Sequence, residues 1–242
     1  TVTAANAPAG DPPPLPVKVD NKRLPSFPPV RDQGSTGSCV AWATTYYQVT
    51  HETGLVRGWN AKEDASEVQK FSPSWTYNFT NWGAVTNGTW FVEHYEVLQR
   101  HGGVLWHRFP FTYSLAWPRE PEAWREAADY RVACVQVLGQ LSSEAGLARM
   151  KGLLANGHVV TFASAPGLWW TRKVENDPST GDDDELAGKA ATVYLSGSTN
   201  CTHAMAVVGY NDAAWVDVNG NGGLDPGEKG VLIITHAYLA RP

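Results

Sequence analysis

Cysteine is scarce in this chain: 242 residues hold three, Cys39, Cys134 and Cys201. An odd count leaves at least one thiol free, and so few exclude a disulfide framework as the main source of stability. Basic charge is also thin. Nineteen Lys and Arg against 24 Asp and Glu give a net charge of −5 and a pI near 5.8. No Lys/Arg cluster occurs, which argues against a nucleic-acid partner. No apolar run approaches the ~20 residues a membrane-spanning helix needs, so no membrane partner is expected. The first residues carry no charged-then-apolar targeting segment, and the sequence reads as a soluble, already processed protein. What is present is a globular composition, 43% hydrophobic and 18% charged. That is enough to bury a full core as one large domain or as two lobes sharing a cleft.

Residues 1–16 are small, polar and proline-rich, and the flexible leader is set at 1–23, with a single domain over 24–242. A helix is expected from Cys39 to about Thr53, with Gly54 as its stop. A short helical turn with Pro73 near its start follows over Phe71–Asn78. Trp90, Phe91, Tyr95, Val97 and Leu98 recur at helical spacing up to Gly102-Gly103, and Leu147, Met150 and Leu154 mark a helix begun near Ser143 and closed by Gly157. The second half changes to strands, over 130–138, 158–163, 203–210 and 231–235. This segregation predicts an α+β protein: a mainly helical lobe, about 24–125, facing a mainly β lobe, about 126–242, with an active cleft between them. The acidic run 175–185 reads as a solvated loop.

The segment Arg31-Asp32-Gln33-Gly34-Ser35-Thr36-Gly37-Ser38-Cys39 is a tight glycine loop running into a helix, with Ser38 as N-cap and Cys39 in the first turn. A thiol there feels the positive end of the helix dipole, which favours thiolate. Gln33, six residues earlier, can return its amide toward the same point as an oxyanion donor. Taken alone, Cys39 fits a buried structural cysteine better than a nucleophile. A cysteine nucleophile needs a base. His51, His94, His101 and His107 lie on polar helical faces or loops and are expected at the surface, and His158 at a lobe edge. His203 instead opens an alternating apolar strand, which would hold it rigidly.

Gln33-Gly34-Ser35-Thr36-Gly37-Ser38-Cys39 resembles the Gln-Gly-x-Cys-Gly-Ser-Cys segment of papain-like cysteine peptidases, and His203-Ala204-Met205-Ala206-Val207-Val208-Gly209-Tyr210 resembles their His-Ala-Val-x-x-Val-Gly-Tyr strand. Asn87-Gly88 resembles the Asn-Gly-Gly turn of their substrate groove, and Phe109-Pro110-Phe111 their Tyr-Pro-Tyr segment. The resemblance implies the papain-like two-lobe fold, with a helical amino-terminal lobe and an antiparallel sheet or barrel in the carboxy-terminal lobe. It implies Cys39 as nucleophile, His203 as base and Gln33 as oxyanion donor, hydrolysing peptide bonds through a thioester with no catalytic cofactor. Asn87 and Gly88 then bind substrate. His236 takes the place of the asparagine that orients the histidine, and Tyr238 that of a shielding aromatic. Thr36 stands where many relatives have a disulfide cysteine, and Val40 replaces a tryptophan. With Cys39 as the working thiol, Cys134 and Cys201 are left as an open pairing. The expected partner is a peptide or protein substrate, and the expected state a monomer. The His236 departure keeps a peptide-binding relative without activity as an alternative, and a different Cys–His acyl transferase is a second; the Gln33 spacing favours the peptidase.

Residues 217–228 independently fit a twelve-residue calcium loop. Asp217, Asn219, Asn221, Asp225 and Glu228 stand at positions 1, 3, 5, 9 and 12, Gly222 at 6, Leu224 at 8, and Gly223 at 7 would offer its carbonyl. The competing account is a polar Gly/Asn turn between strands. Pro226 and the flanking strands argue against a helix-pair sensor, so Ca²⁺ would be a structural staple of the connection after the His203 strand. Together with the resemblance, such a loop suggests a secreted or periplasmic bacterial protein. Asn-x-Ser/Thr sequons at Asn78, Asn87 and Asn200 are assigned no glycosylation.

Overall fold

The structure, a computed structural model, describes residues 14–139, 141, 143–180, 185–195 and 202–237. It opens with β1 (Lys18–Asp20) and a 3-10 turn (Asn21–Arg23), capped by the Asp20 carboxylate accepting from the Lys22 N–H. The leader therefore ends earlier than the sequence suggests. Polar composition hid a strand whose stability comes from a distant partner.

The central rod begins as α1 (Cys39–Ala41), widens to i→i+5 bonding over Trp42–Val49, and continues as α2 (Thr50–Arg57). Gly54 does not stop it. A Cβ there would stand 2.8 Å from the Ser26 Cβ, so this glycine marks a close approach of chains inside the helix. The rod ends instead at Gly58, which takes the left-handed conformation (φ +67°) and bonds back to the Gly54 carbonyl. Trp42, Tyr46 and Tyr47 from the rod pack with Phe27, Val159, Ala206, Val208 and Ala237, a core built from both halves of the chain.

Helix α3 (Pro73–Thr80) starts on its proline, and α4 (Phe91–Arg100) starts where the Glu93 carboxylate accepts the Trp90 N–H at 3.0 Å. The sequence pattern did not announce α5 (Pro121–Ala128), which buries Ala123 and Ala127 against Trp75, Val97, Val104 and Phe109. The expected strand over 130–138 is absent. That segment has no regular secondary structure and is tied to the end of α4, through the Val132 N–H to the Leu98 carbonyl and the Arg131 side chain to the Arg100 carbonyl. Helix α6 (Glu144–Ala155) follows, the Ser143 hydroxyl accepting the Gly146 N–H at 3.1 Å.

The sheet is organised by one long strand. β2 (Val160–Ser164) pairs antiparallel with the start of β5 (His203–Trp215), Ser164 opposite His203, and β1 pairs farther along, Asp20 opposite Gly209. β6 (Lys229–Thr235) pairs with β5 over Ala206–Trp215. Since β6 meets residues that β2 and β1 also pair, β1 and β2 share one edge of β5 and β6 holds the other. Gly209 is required: a Cβ there would fall 2.0 Å from the Val19 carbonyl. Leu154 and Met150 of α6 cover one face of this sheet at Val207 and Tyr210. A separate hairpin, β3 (Trp169–Lys173) with β4 (Ala190–Leu195), packs Val174 and Ala191 against Ala214 and Val216. Among the described residues no helix is long and apolar enough to cross a membrane. The chain is an α+β protein with a helical first half and an antiparallel sheet in the second.

Candidate active site

The loop before α1 is fixed by its own polar groups. Gly34 takes a left-handed turn (φ +62°), its N–H donating to the Asp32 carboxylate at 2.8 Å. Gln33 is buried; its side-chain amide donates to the Thr36 carbonyl at 2.8 Å, and its backbone N–H to the Ala237 carbonyl at 2.8 Å. Upstream, the Arg31 guanidinium pairs with Glu67 at 2.5 Å and lies over Trp106, 4.3 Å from the ring centre. Ser38 precedes Cys39 but does not cap α1 with its side chain; the hydroxyl meets Thr36 Oγ1 at 2.6 Å instead.

The Cys39 side chain packs with Val40, Ala43, Phe91 and Ala204, which sets the thiol beside the first residues of β5. Backbone N–H groups of Ala204, Val40 and Cys39 favour its thiolate, yet burial outweighs them and pushes the thiol above its ordinary range. The expectation of a depressed cysteine pKa is thus corrected: desolvation exceeds the effect of the helix start. His203, next to Ala204, faces His236, with ring centres 5.4 Å apart and planes at 88°. Burial, then the charge of His236, lowers His203 to about 4, and burial lowers His236 as well. Around neutral pH these groups are a thiol and two uncharged imidazoles. Nδ1 of His236 is buried without a hydrogen-bond partner among the described residues, while its carbonyl lies 3.4 Å from the Tyr47 hydroxyl. Cys39 and Gln33 from the helical half are thus brought beside His203, which opens β5, and His236, which follows β6.

Asn87 and Gly88 run alongside. The Gly37 N–H donates to the Val85 carbonyl at 2.9 Å, and a Cβ on Gly37 would fall 2.2 Å from the Asn87 carbonyl. The Tyr77 hydroxyl reaches the carbonyls of Val85 (2.7 Å) and Asn87 (2.9 Å). The Asn87 side chain turns away to the Asn81 carbonyl (2.9 Å), so this wall presents backbone and the open face of Gly88. Tyr238, like Cys201 and Asn200, lies outside the described residues. Thr36 drew notice in the sequence only as the place of a missing cysteine, and the bonds it and Tyr77 make were not foreseen because single hydroxyl residues carry no pattern.

Two histidines expected at the surface are buried. His51 Nε2 donates to the Gly157 carbonyl at 2.6 Å, so its Nδ1 accepts from Ser26 at 3.0 Å. His94 Nε2 meets the hydroxyls of Thr89 (2.7 Å) and Thr80 (3.1 Å), and burial lowers its pKa to about 3. Both sit on the inner faces of helices that the polar side chain disguised. His101 and His107 are exposed, and His158 pairs with Glu52 at 2.8 Å at the lobe edge.

Residues 217–228 connect β5 to β6. Asp217 and Glu228 are buried carboxylates, and among the described residues neither forms an ion pair. Backbone N–H groups hold both below the usual range: Gly222, Gly220 and Asn221 at Asp217, and Asp225 first at Glu228. The side-chain amides of Asn219 and Asn221 donate to Asp225 at 2.6 and 2.7 Å. Among the described residues no three His, Cys, Asp or Glu side chains converge as a metal site. A cation here would therefore draw on the Asn219 and Asn221 amide oxygens and the Gly223 carbonyl, an all-oxygen set of the kind that suits calcium.

No protein-family model matches the sequence, and no curated protein does. Solved structures do resemble it. The bromelain protease from Ananas comosus, in complex with the E64 inhibitor, aligns with a TM-score of 0.54 at 15% identity, over 93% of this chain and 84% of that one. The Amb a 11 cysteine protease, a major ragweed pollen allergen in its proform, gives 0.57 at 16%, over 84% and 55%. Digestive procathepsin L 3 of Tenebrio molitor larval midgut gives 0.54 at 18%, over 93% and 60%. At such identities the likeness is one of fold, and the chain has the two-lobed fold of the papain-like cysteine proteases.

Proposed function

We propose that this protein is a cysteine peptidase acting on peptide or protein substrates. His203 takes the Cys39 proton as sulfur attacks the scissile carbonyl. The oxyanion is met by the Cys39 backbone N–H and the Gln33 amide, and the leaving amine takes the proton back from His203. Water, activated by His203, then hydrolyses the thioester. The one observation that carries this is the thiol lying against the Ala204 N–H, beside His203, with the Gln33 amide clasped in the same loop. Hydrolysis of a fluorogenic peptide pool should fall by about 10³-fold or more in Cys39→Ser and in His203→Ala, as expected for removal of a nucleophile or its base. Turnover that survives Cys39→Ser, or none in the wild type, contradicts it.

The neutral histidine pair and the Nδ1 of His236, without a partner among the described residues, favour, as a second account, a peptide-binding protein without turnover. Calorimetry would then register peptide binding with no product. We further propose structural calcium in residues 217–228, supported by the twelve-residue spacing and by two buried carboxylates that form no ion pair among the described residues. At 100 times its Kd, calcium should stabilise the fold by about 2.7 kcal/mol. The melting temperature should therefore rise with calcium and fall with EDTA, and should respond to neither in Asp217→Ala. A wild type indifferent to both has no such site. Calcium dependence would accord with a secreted or periplasmic location.

A further inference from the structure

We propose that Thr36 is the positioning residue for Gln33, locking its amide to the helix that carries Cys39; the role rests on the peptidase function proposed above. The clasp is reciprocal. The Thr36 hydroxyl donates to the Gln33 backbone carbonyl at 2.9 Å, and the Gln33 side-chain amide donates to the Thr36 carbonyl at 2.8 Å. Because the Thr36 proton is committed to Gln33, the 2.6 Å contact with Ser38 has Ser38 as its donor. A directed chain results, from Ser38 through Thr36 to Gln33, joining the residue before the nucleophile to the oxyanion donor.

All three residues are buried, Gln33 at 5%, Thr36 at 6% and Ser38 at 0% exposure, so water does not compete for these bonds. The amide oxygen of Gln33 is buried without a partner among the described residues. Among the described residues its orientation therefore rests on the bond to the Thr36 backbone carbonyl, kept in register by the Thr36 hydroxyl holding the Gln33 backbone; that bond uses one amide proton and leaves the second for an oxyanion. A β-branched residue at 36 also restricts its own χ1 rotamer, which keeps the hydroxyl aimed at Gln33. Where many relatives resembled by this loop place a disulfide cysteine, this chain has a hydroxyl relay.

Thr36→Val keeps the shape and removes the hydroxyl, whereas Thr36→Ser keeps the hydroxyl. Steady-state kinetics on a fluorogenic peptide should show kcat for Thr36→Val reduced about 10- to 100-fold with KM unchanged, since a displacement on the order of 1 Å at a catalytic group costs that much. Thr36→Ser should recover most of the loss. Thr36→Val combined with Gln33→Ala should be no slower than Gln33→Ala alone, because both act through one group. Alkylation of Cys39 by iodoacetamide forms no oxyanion and should proceed at the wild-type rate in every variant. If Thr36→Val does not fold, adding Ser38→Ala removes the stranded hydroxyl and permits the same comparison. A wild-type kcat in Thr36→Val, no recovery in Thr36→Ser, or multiplying losses in the double variant overturns the assignment. Absence of turnover in the wild type instead overturns the peptidase function. The clasp is then read by NMR, with Gln33 side-chain amide protons slow to exchange in wild type and Thr36→Ser and fast in Thr36→Val; equal exchange in all three contradicts it.

Discussion

Lowering the pH should unfold this protein partly through His94. The imidazole is fully buried, bonded through Nε2 to Thr80 and Thr89, and its Nδ1 has no partner among the described residues. Protonation would place a charge and an unsatisfied donor in the interior, which is why burial lowers its pKa from 6.5 to about 3. The sign follows from linkage. Above the unfolded value both states are neutral and the full stability is present. Between 6.5 and about 3 only the unfolded chain binds the proton, so stability falls by about 1.4 kcal/mol per pH unit. From pH 7.5 to 4.5 the loss at this one site is about 2.7 kcal/mol, and it depends little on the folded value so long as that lies below 4.5. Urea unfolding of wild type and His94→Gln at four pH values across this range isolates it, since His51, His203, His236 and the carboxylates titrate in both proteins. The gap between the two stabilities should shift by about 2.7 kcal/mol in favour of the variant at the acid end. Parallel pH curves would refute the reasoning. Because Thr89 follows the Asn87-Gly88 wall, peptide hydrolysis should also decline as this site is protonated.

Burial is the larger cause of the lowered His203 pKa and the charge of His236 the smaller; replacing His236 by Asn removes the second, so His203 should hold its proton to somewhat higher pH and stabilise the Cys39 thiolate. Iodoacetamide should then alkylate Cys39 faster near pH 6 in His236→Asn than in wild type; equal rates would show that His236 does not act on His203. Gly37→Ala would drive a Cβ to within 2.2 Å of the Asn87 carbonyl. Since a backbone carbonyl yields poorly, this variant should lose about 1–3 kcal/mol and raise KM through a displaced groove wall, readable by thermal melts and steady-state kinetics. Wild-type values for both would mean that the two loops are not in contact.

Helix α3 was legible because Pro73 is a chemical start signal, α4 because its apolar residues keep helical spacing, and α6 because it has both Ser143 and that spacing. The β5 strand was legible because its apolar run is long; the structure buries Ala204–Asn211 without alternation, and the strand continues past the less buried Asp212 and Ala213 to Trp215. Other features depended on distant partners. Gly54 has the composition of a stop, yet Ser26 on another segment makes it a packing glycine. Residues 130–138 have the alternation of a strand and bond to the end of α4, with no ladder available. β1 is three residues whose pairing is decided in the distant β5, Val19 with Tyr210 among them. Within the site, the order and spacing of Gln33, Cys39 and His203 could be seen in advance. The direction of the cysteine pKa could not, because burial is a property of the packed interface between the two halves of the chain.

The central claim is that Cys39 and His203 form one nucleophilic pair, and covalent labelling tests it most directly. Folded protein treated with an epoxide peptide probe near neutral pH, digested and analysed by mass spectrometry should carry the adduct on Cys39, with exposed Cys134 far less modified. The adduct should disappear in His203→Ala while the variant still melts cooperatively. Labelling that is absent from the wild type, or that persists at the wild-type rate without His203, would contradict the account.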